Sequence, residues 1–354
     1  MNLLSIILAF AFPIIADDLA CNGDVRLCNR RYSNISLVGS HNSAFVGILP
    51  TNNQYVSVTE QLNIGVRFLQ VQTRGHDGSI QLCHTSCWVL NAGPLSSYLR
   101  EVATWMAKNP REILTVLLTN SDGMAVERFA EAVRDANLDG IVYRPAGQPA
   151  LDEWPTLQEF LDSGVRLIVF MVDSYADTTK VDYILPQFLY QWQNAYGQTD
   201  SAFSNCSIDR PKRIQHPETY MYMINHFLDI QLPFGIVIPN QFEASSTNSL
   251  ESITKQAEAC GVQWGVKPNV ILIGLMLEMQ LKRKDILMDW IEGDIKATRL
   301  LYGLKLRSRE ASAAGVVRGA GGTPVLSRPR SKPSRPGLRC DGGEAERETE
   351  RRSR

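Results

Sequence analysis

The chain has 354 residues, of which 44% are hydrophobic and 21% are charged, and its formal net charge is −1. This composition supplies a large core and excludes a wholly disordered, collagen-like or coiled-coil chain. The near-zero net charge gives no electrostatic argument for nucleic acid, so no nucleic-acid partner is expected.

The N-terminal segment is apolar over residues 3–15. Such a stretch is too short to span a bilayer but matches the hydrophobic region of a signal peptide. We therefore predict a signal peptide over residues 1–20, cleaved after Ala16 or Ala20, and a secreted protein. A buried N-terminal helix is the alternative, which Pro13 disfavours.

Secretion would also account for six of the seven cysteines. We predict three disulfides, Cys21–Cys28, Cys83–Cys87 and Cys206–Cys260, and leave Cys340 unpaired. Six cysteines allow many connectivities, so other pairings remain open at this point. Asn34 and Asn205 each begin a glycosylation acceptor sequence, which predicts a glycoprotein.

Short apolar runs alternate with amphipathic helical patterns along the chain. Strands are predicted at residues 35–38, 66–71, 113–119, 166–172, 220–224 and 270–273. Helices are predicted around residues 95–106, 126–133, 157–163 and 250–257. Asp77-Gly78 indicates a hairpin-like turn, and Thr156 with Glu159 forms a capping box that opens a short helix ended by Gly164.

This alternation of strands and helices predicts an α/β protein with a parallel sheet. Its repetition favours a (β/α) barrel as a single domain over residues 21–306, and a doubly wound open sheet is the alternative. Neither a G-x-G-x-x-G sequence nor a P-loop follows the first strand, which argues against nucleotide binding.

From residue 307 onwards the chain is rich in Arg, Gly, Ser and Pro. It carries 12 basic and 6 acidic residues, a net charge of +6. Such a segment cannot bury a core, so residues 307–354 are predicted to be a basic, disordered tail. A tail attracted to membranes is the alternative.

Three of the five histidines follow predicted strands. His41 comes directly after the first strand, His84 follows the second strand and the hairpin-like turn, and His226 ends a later strand. Because reactive groups gather at the carboxyl ends of barrel strands, we expect these histidines at one mouth. Two histidines suit acid–base chemistry, in which one takes a proton from a hydroxyl nucleophile and the other gives one to a leaving oxygen.

The second strand adds polar side chains to the same mouth. By the two-residue period of a strand, Gln70, Gln72 and Arg74 share one face, and Arg74 is a candidate to hold an anionic oxygen. Cys83, His84 and Cys87 also permit a zinc interpretation. No fourth ligand is evident, and a secreted chain oxidises close cysteine pairs, so the disulfide is favoured.

Three motifs resemble the X domain of phosphatidylinositol-specific phospholipase C. They are Leu37-Val38-Gly39-Ser40-His41-Asn42-Ser43, Gly65-Val66-Arg67-Phe68-Leu69-Gln70-Val71-Gln72 and Leu82-Cys83-His84. The similarity continues through residues 172–178, 209–211 and 225–227, and it is greatest to the secreted fungal phospholipase-C-like phosphodiesterases.

The resemblance implies a distorted TIM-like barrel that cleaves a phosphatidylinositol-like lipid, with His41 as general base and His84 as general acid. The 2-hydroxyl of the lipid would attack phosphorus and release diacylglycerol and a cyclic inositol phosphate. Substrate-binding roles are then expected for Asn42, Gln70, Gln72, Arg74 and His226. The enzyme would act as a monomer that meets the membrane surface transiently.

The chain departs from the family pattern at several positions. Asn42 replaces an Asp, and Gln70 and Gln72 stand where relatives carry an Asp, a phosphate-binding Arg or acidic calcium ligands. Two glutamines cannot replace two carboxylates as ligands of a hard cation, so no metal and no other cofactor are expected. The missing Arg leaves Arg74 as its substitute.

The family also uses an Asp on a late strand to orient the base histidine. Residues 270–272 resemble that strand, but Ile273-Gly274 follows where the Asp is expected. Residues 286–290 resemble the end of the same strand, so we interpret 273–284 as an insertion, of retained-intron or gene-model origin, and Asp289 as the orienting carboxylate.

Two other functions stay open at this point. A metal-dependent glycerophosphodiesterase or phospholipase D relative would need clustered acidic residues beside the histidines. A non-catalytic secreted binding protein on a decayed barrel is the other alternative, because a fold does not fix a function.

Overall fold

A computed structural model describes residues 19–172 and 175–276. Its strands are β1 Leu37–Ser40, β2 Phe68–Val71, β3 Thr73–His76, β4 Ser79–Cys83, β5 Asn91–Pro94, β6 Leu114–Leu118, β7 Leu167–Met171, β8 Ile184–Pro186, β9 Gln191–Asn194, β10 Ile208–Arg210, β11 Met221–His226, β12 Asp229–Gln231, β13 Val237–Pro239 and β14 Val270–Ile273. Its helices are α1 Val58–Asn63, α2 Leu95–Lys108, α3 Val126–Asp135, α4 Leu157–Asp162, α5 Ala244–Thr247 and α6 Leu250–Trp264. None of these helices is long and apolar enough to cross a membrane.

The main sheet has nine strands in the order β10-β9-β11-β14-β1-β2-β6-β7-β8. All neighbouring pairs are parallel except β10, which is antiparallel to β9. Strand β14 returns to the side of β1, so the strand order runs around a barrel in both directions from this pair. The predicted parallel α/β sheet is therefore confirmed.

The two ends of the parallel run, β8 and β9, are joined in sequence by residues 187–190 alone. Strand β8 pairs with β7 and strand β9 pairs with β11. One stretch of chain therefore passes from one end of the parallel run to the other, and covalent bonds rather than a strand ladder bridge this seam.

Side chains alternate between two buried faces along the strands, as expected for a parallel sheet covered on both sides. One face packs inside the barrel, where Phe68, Phe170 and Leu272 contact a plug made by the N-terminal residues and Trp154. The other face packs against the helices, with Leu69, Val116 and Ile271 among its members. A side chain on β1, β2, β11 or β14 thus faces the interior only at alternate positions.

Local signals in the sequence explain the helix boundaries. Helix α2 buries its stripe of Leu95, Leu99, Val102 and Met106 and ends before Asn109-Pro110. Helix α4 begins at the predicted capping box, in which Thr156 and Glu159 bond to each other's backbone N–H.

A separate three-stranded sheet, β3-β4-β5, follows β2 and carries His84 directly after its central strand, β4. Its first hairpin turns at Asp77-Gly78, as predicted, with both residues at positive φ (47° and 72°). Positive φ at both central residues belongs to the tight hairpin turn that matches the twist of its strands.

Three disulfides join the described cysteines: Cys21–Cys28, Cys83–Cys87 and Cys206–Cys260. All three predicted pairings are confirmed. Disulfides of this number are typical of proteins that fold in an oxidising compartment.

Candidate active site

His41 lies at the carboxyl end of β1 on the inward face that Leu37 and Gly39 begin. Gly39 allows β1 to approach its neighbour, because a Cβ there would lie 2.8 Å from a methyl group of Leu272. The backbone of His41 is fixed on both sides: its N–H donates to the carbonyl of Ile273 (2.8 Å), and its carbonyl accepts from Nε2 of Gln54 (2.6 Å). The fold therefore sets the direction of this imidazole.

The imidazole of His41 stacks on the ring of Phe227, with centroids 3.7 Å apart and planes 2° from parallel. Its Nδ1 is buried and has no hydrogen-bond partner. Desolvation, with a further contribution from the charge of His84, lowers the pKa of His41 to about 3. His41 is therefore neutral at pH 7.

His84 follows β4 inside the loop that the Cys83–Cys87 disulfide closes. Its ring lies 5.1 Å from that of Phe45, centroid to centroid. Desolvation lowers the pKa of His84, and a hydrogen bond with the backbone of Thr51 partly opposes this shift. The backbone carbonyl of Phe45 accepts from the N–H of Gln54 (3.1 Å), whose Nε2 donates to the carbonyl of His41, so the loop of residues 45–54 contacts both histidines.

The polar residues predicted near His41 are hydrogen-bonded to neighbouring parts of the chain. Gln70 lies on the inward face of β2, and its Oε1 accepts from the backbone N–H of Asn42 (2.7 Å). Asn42 adopts a left-handed backbone (φ 49°) and donates from Nδ2 to Oδ1 of Asn53 (3.3 Å). Gln72 lies beside the His84 loop, where its Oε1 accepts from the N–H of Thr85 (3.4 Å).

Arg74 lies on β3 and forms an ion pair with Asp122, with Nη1 and Oδ1 2.6 Å apart. The other carboxylate oxygen of Asp122 accepts from the N–H of Gly75 (2.8 Å). The guanidinium of Arg74 is therefore already neutralised, and contact with an anionic ligand would require it to leave Asp122 or to share it.

His226 does not join this group, and its expected position at the mouth is corrected. It is fully buried, with Nδ1 2.6 Å from Oε1 of Gln256 and Nε2 2.8 Å from the carbonyl of Thr247. Along β11 it shares a face with Tyr222 and Ile224, which pack toward the helices. The two-residue period of the strand would have placed Phe227, not His226, in the barrel interior.

The residues expected around the orienting carboxylate fall into two groups. Asp289 lies outside the described residues, as does residue 277 onwards of the interpreted insertion. Ile273, the first residue of the interpreted insertion, belongs to β14 and pairs in register with Ser40 and His226. Gly274 takes the next inward position and leaves no side chain beside Phe227.

The sequence did not indicate several residues that surround His41. Phe227, Asp229 and Asn248 line one cavity with it. Burial raises the pKa of the Asp229 carboxyl to about 7. Among the described residues, no group of three or more His, Cys, Asp or Glu side chains is arranged to hold a metal ion.

Comparisons with known proteins identify relatives of this chain. The family model PI-PLC X 1 matches residues 27–282. The PI-PLC X domain-containing protein 1 of Arthroderma benhamiae is 42% identical over 308 residues, which cover 85% of this chain and 95% of the relative. An uncharacterized secreted protein of the same organism is 40% identical over 265 residues, which cover 72% of this chain and 59% of the relative.

Two solved structures share the fold. The phosphatidylinositol-specific phospholipase C of Listeria monocytogenes matches with a TM-score of 0.50 at 14% identity, over 73% of this chain and 95% of its own. A pentafluoro-Phe variant of the Staphylococcus aureus enzyme matches with a TM-score of 0.52 at 16% identity, over 78% of this chain and 95% of its own. The predicted distorted TIM-like barrel is confirmed.

Proposed function

This chain belongs to the PI-PLC X family, and from that premise we propose that it is a secreted hydrolase of phosphatidylinositol-like phosphodiesters. Fold and family support a phospholipase-C-like phosphodiesterase. An extracellular location is supported by the secreted relative and the three disulfides. The observation that carries the proposal is the position of His41 and His84 against one loop, in which Gln54 bonds to the carbonyl of His41 and Phe45 packs against the ring of His84.

In the proposed reaction, His41 is the general base and His84 the general acid. Because its pKa is lowered to about 3, His41 is uncharged at pH 7 and its Nε2 can accept a proton. It takes that proton from the 2-hydroxyl of the inositol as this oxygen forms a bond to phosphorus. The bond from phosphorus to the glycerol oxygen breaks, and His84 gives its proton to that oxygen. The products are diacylglycerol and a cyclic inositol phosphate.

His84 must carry a proton before it can act as an acid. Desolvation lowers its pKa in the free protein, which works against this role. A bound phosphodiester is an anion, and a nearby negative charge favours the protonated imidazole. Substrate binding would therefore raise the pKa of His84 and charge the acid when the substrate is in place.

The phosphate needs hydrogen-bond donors in addition to the histidines. We assign this role to Gln72 and Arg74. Gln72 lies beside the His84 loop, and its side-chain amide offers a neutral donor. Arg74 supplies positive charge if the phosphate competes with Asp122 for its guanidinium. Gln70 and Asn42 would shape the turn after His41.

Exposed apolar side chains near this mouth support a membrane surface as the partner. Trp88, Phe234 and Phe242 are between 91 and 102% exposed, and Ile48 is 83% exposed. We call these four residues, with Leu49, the apolar rim. Large exposed apolar groups of this kind mark interaction sites.

The segments that carry the apolar rim contact one another and contain no charged residues. Gln241 donates to the carbonyl of Leu49 (2.8 Å), and Phe45 lies against His84 in the loop of Trp88. Residues 42–59, 85–99 and 230–242 contain no Asp, Glu, Lys or Arg. A neutral surface with aromatic tips suits the interface of a bilayer, where a charged side chain would be costly. The protein would meet the membrane as a monomer.

Turnover of phosphatidylinositol vesicles by the purified protein, with a chelator present, tests the proposed reaction. We expect a cyclic inositol phosphate in the ³¹P NMR spectrum. His41→Ala and His84→Ala should each lower kcat/KM, measured per folded molecule, by about 10²- to 10⁴-fold. His216→Ala is the matched control, because His216 is exposed and paired with Glu218. Full activity in both site variants, or activity restored only by calcium, would contradict the proposal.

One observation favours binding without turnover as a second candidate. Arg74 is paired with Asp122, and Gln70 and Gln72 are neutral, so the site has little free positive charge with which to stabilise a transition state. Vesicle binding that depends on phosphatidylinositol, with no product formed, would support this candidate.

A further inference from the structure

A small cavity lies beside the imidazole of His41. His41, Phe227, Asn248 and Gly274 are among the residues that line it. It leaves about 10 Å³ for the centre of a water-sized molecule, which is near the minimum for one bound water. The cavity exists partly because Gly274, at the inward position after Leu272, has no side chain.

Asn248 presents an unsatisfied acceptor in this cavity. Its side chain is almost fully buried, at 8% exposure. Its Nδ2 donates to the carbonyls of Gly274 (2.6 Å) and Leu275 (3.1 Å), so both amide protons are used. These bonds fix the orientation of the amide, and its Oδ1 is left buried without a partner. An amide oxygen in this position can only accept.

His41 presents the complementary group. The Nδ1 of His41 is also buried without a partner. For Nε2 to accept a proton from a substrate, the neutral imidazole must carry its own proton on Nδ1. The hydrogen bond made by one ring nitrogen decides which nitrogen is protonated. Two residues that line the same small cavity thus each carry a buried atom without a partner, an acceptor on Asn248 and, in the tautomer that a base requires, a donor on His41.

We propose that Asn248 is the positioning residue of His41: its Oδ1 accepts the Nδ1–H of the imidazole through one water in this cavity, and so holds the base in its active tautomer. This inference rests on the proposed general-base role of His41. It assigns to a neutral amide on the loop after α5 the task that the sequence led us to expect of a carboxylate.

Other polar groups in the cavity are less suited to this task. Oδ1 of Asn53 already accepts from Asn42, and Oδ1 of Asn240 accepts from the N–H of Glu243 (3.2 Å). Asp229 is a carboxyl whose pKa is raised to about 7 by burial, so its own protonation changes near neutral pH. Asn248 remains an acceptor at every pH.

A neutral acceptor has a measurable consequence. It fixes the tautomer of His41 without adding a charge, so the low pKa set by burial and by His84 persists. A carboxylate at the same place would stabilise the imidazolium and raise the pKa of His41. Within residues 19–172 and 175–276, the titratable groups beside His41 are His84 and Asp229.

Nitrogen-15 NMR of the full chain with labelled histidine tests the inference without any catalytic readout. His41→Gln identifies the resonances of His41. In the wild-type protein we expect the Nδ1–H tautomer, and in Asn248→Ala a shift toward the Nε2–H form. Asn248→Asp should keep the tautomer and raise the pKa of His41 by at least about one unit. In turnover, Asn248→Ala should lower kcat more than it changes KM, and Asn248→Asp should move the acid limb of the pH profile upward.

Asn240→Asp is the matched control, because it places the same carboxylate in the same cavity where the acceptor is already used. We expect a smaller shift in the pKa of His41 than in Asn248→Asp. A wild-type Nε2–H tautomer, or equal shifts in the two variants, would overturn the inference. If Asn248→Ala does not fold, the wild-type tautomer and the two Asp variants still decide. The expected tautomer without turnover of phosphatidylinositol would contradict the proposed function and leave the role of Asn248 intact.

Discussion

Arg67 and His41 lie at opposite ends of the barrel strands, and their buried polar groups differ in how far they are hydrogen-bonded. At the amino ends of the strands, Arg67 is almost fully buried, and its guanidinium contacts Glu112 (2.6 Å), the carbonyl of Leu62 (2.7 Å) and the face of Trp105. At the carboxyl ends, Nδ1 of both His41 and His84, with Oδ1 of Asn42 and Asn248, is buried without a partner.

This difference separates stability from function. A buried polar group without a hydrogen bond costs free energy, so the paired Arg67 stabilises the fold, whereas the unpaired atoms beside His41 are available to a ligand. The same division is general in (β/α) barrels, where the carboxyl ends of the strands carry the reactive groups. Substitutions at the two ends should therefore have opposite signatures.

The largest effect on stability is expected at the paired end. Glu112→Gln leaves the buried charge of Arg67 uncompensated and should cost about 3–5 kcal/mol in the free energy of unfolding, measured with urea. Activity per folded molecule should not change. In the control Lys180→Gln, the lost pair with Glu127 is exposed and 3.4 Å long, so the cost should stay below about 1 kcal/mol. Equal losses would erase the distinction between the two ends.

At the mouth, the apolar rim should affect binding rather than folding. Trp88→Ala or Phe234→Ala removes an exposed aromatic ring, and each should weaken binding to phosphatidylinositol-containing vesicles by roughly tenfold, measured by sedimentation. The Tm should not fall. Val262→Ala is the control, since Val262 is exposed on α6. If the variants bind vesicles as well as the wild-type protein does, the apolar rim does not bind membranes. If they instead lose self-association, the apolar rim is a protein–protein contact.

The smallest net effect is expected in the pH dependence of the wild-type protein's stability, because the contributions of two neighbours at the mouth act in opposite directions. The pKa of His41 is lowered to about 3, so between pH 6.5 and 3 the unfolded chain binds a proton that the folded one does not, and stability falls as the pH falls. The pKa of Asp229 is raised to about 7, so the folded chain holds a proton between pH 7 and 4, and stability rises as the pH falls.

Unfolding of two variants between pH 4 and 6 separates these contributions. His41→Gln should make the loss of stability toward low pH shallower. Asp229→Asn should make it steeper, because the proton that favours the folded state is removed. Slopes that change in the same direction in both variants would show that the two groups do not titrate as their burial implies.

Most strands of the barrel could be predicted from the sequence, because strands buried on both faces form continuous apolar runs. Strand β14 has the predicted bounds, and the other predicted strands lie within two residues of the observed ones. Strand β9 was not predicted, because it is not an apolar run. Its Gln191, Gln193 and Asn194 are buried but polar, and Oδ1 of Asn194 is satisfied by the N–H of Asn225 (2.7 Å).

The site was only partly predictable from sequence. His41 and His84 follow from the position of strand ends and from the resemblance to the family. The direction of His226 was available from the two-residue period, since it alternates with inward-facing Asn225 and Phe227. The proximity of Phe227 and Asn248 to His41 was not available, because these contacts join residues about two hundred positions apart and depend on how the loops pack.

The seam between β8 and β9 determines where proteolysis could open the barrel. Within the described residues, every other join around the parallel sheet is a ladder of backbone hydrogen bonds, which would hold after a single peptide bond is cut. At residues 187–190 the connection is one strand of polypeptide, and Leu189 within it is exposed. Proteolytic cleavage within residues 187–190 would therefore open the barrel between β8 and β9, whereas cleavage in a surface turn elsewhere would leave the barrel closed.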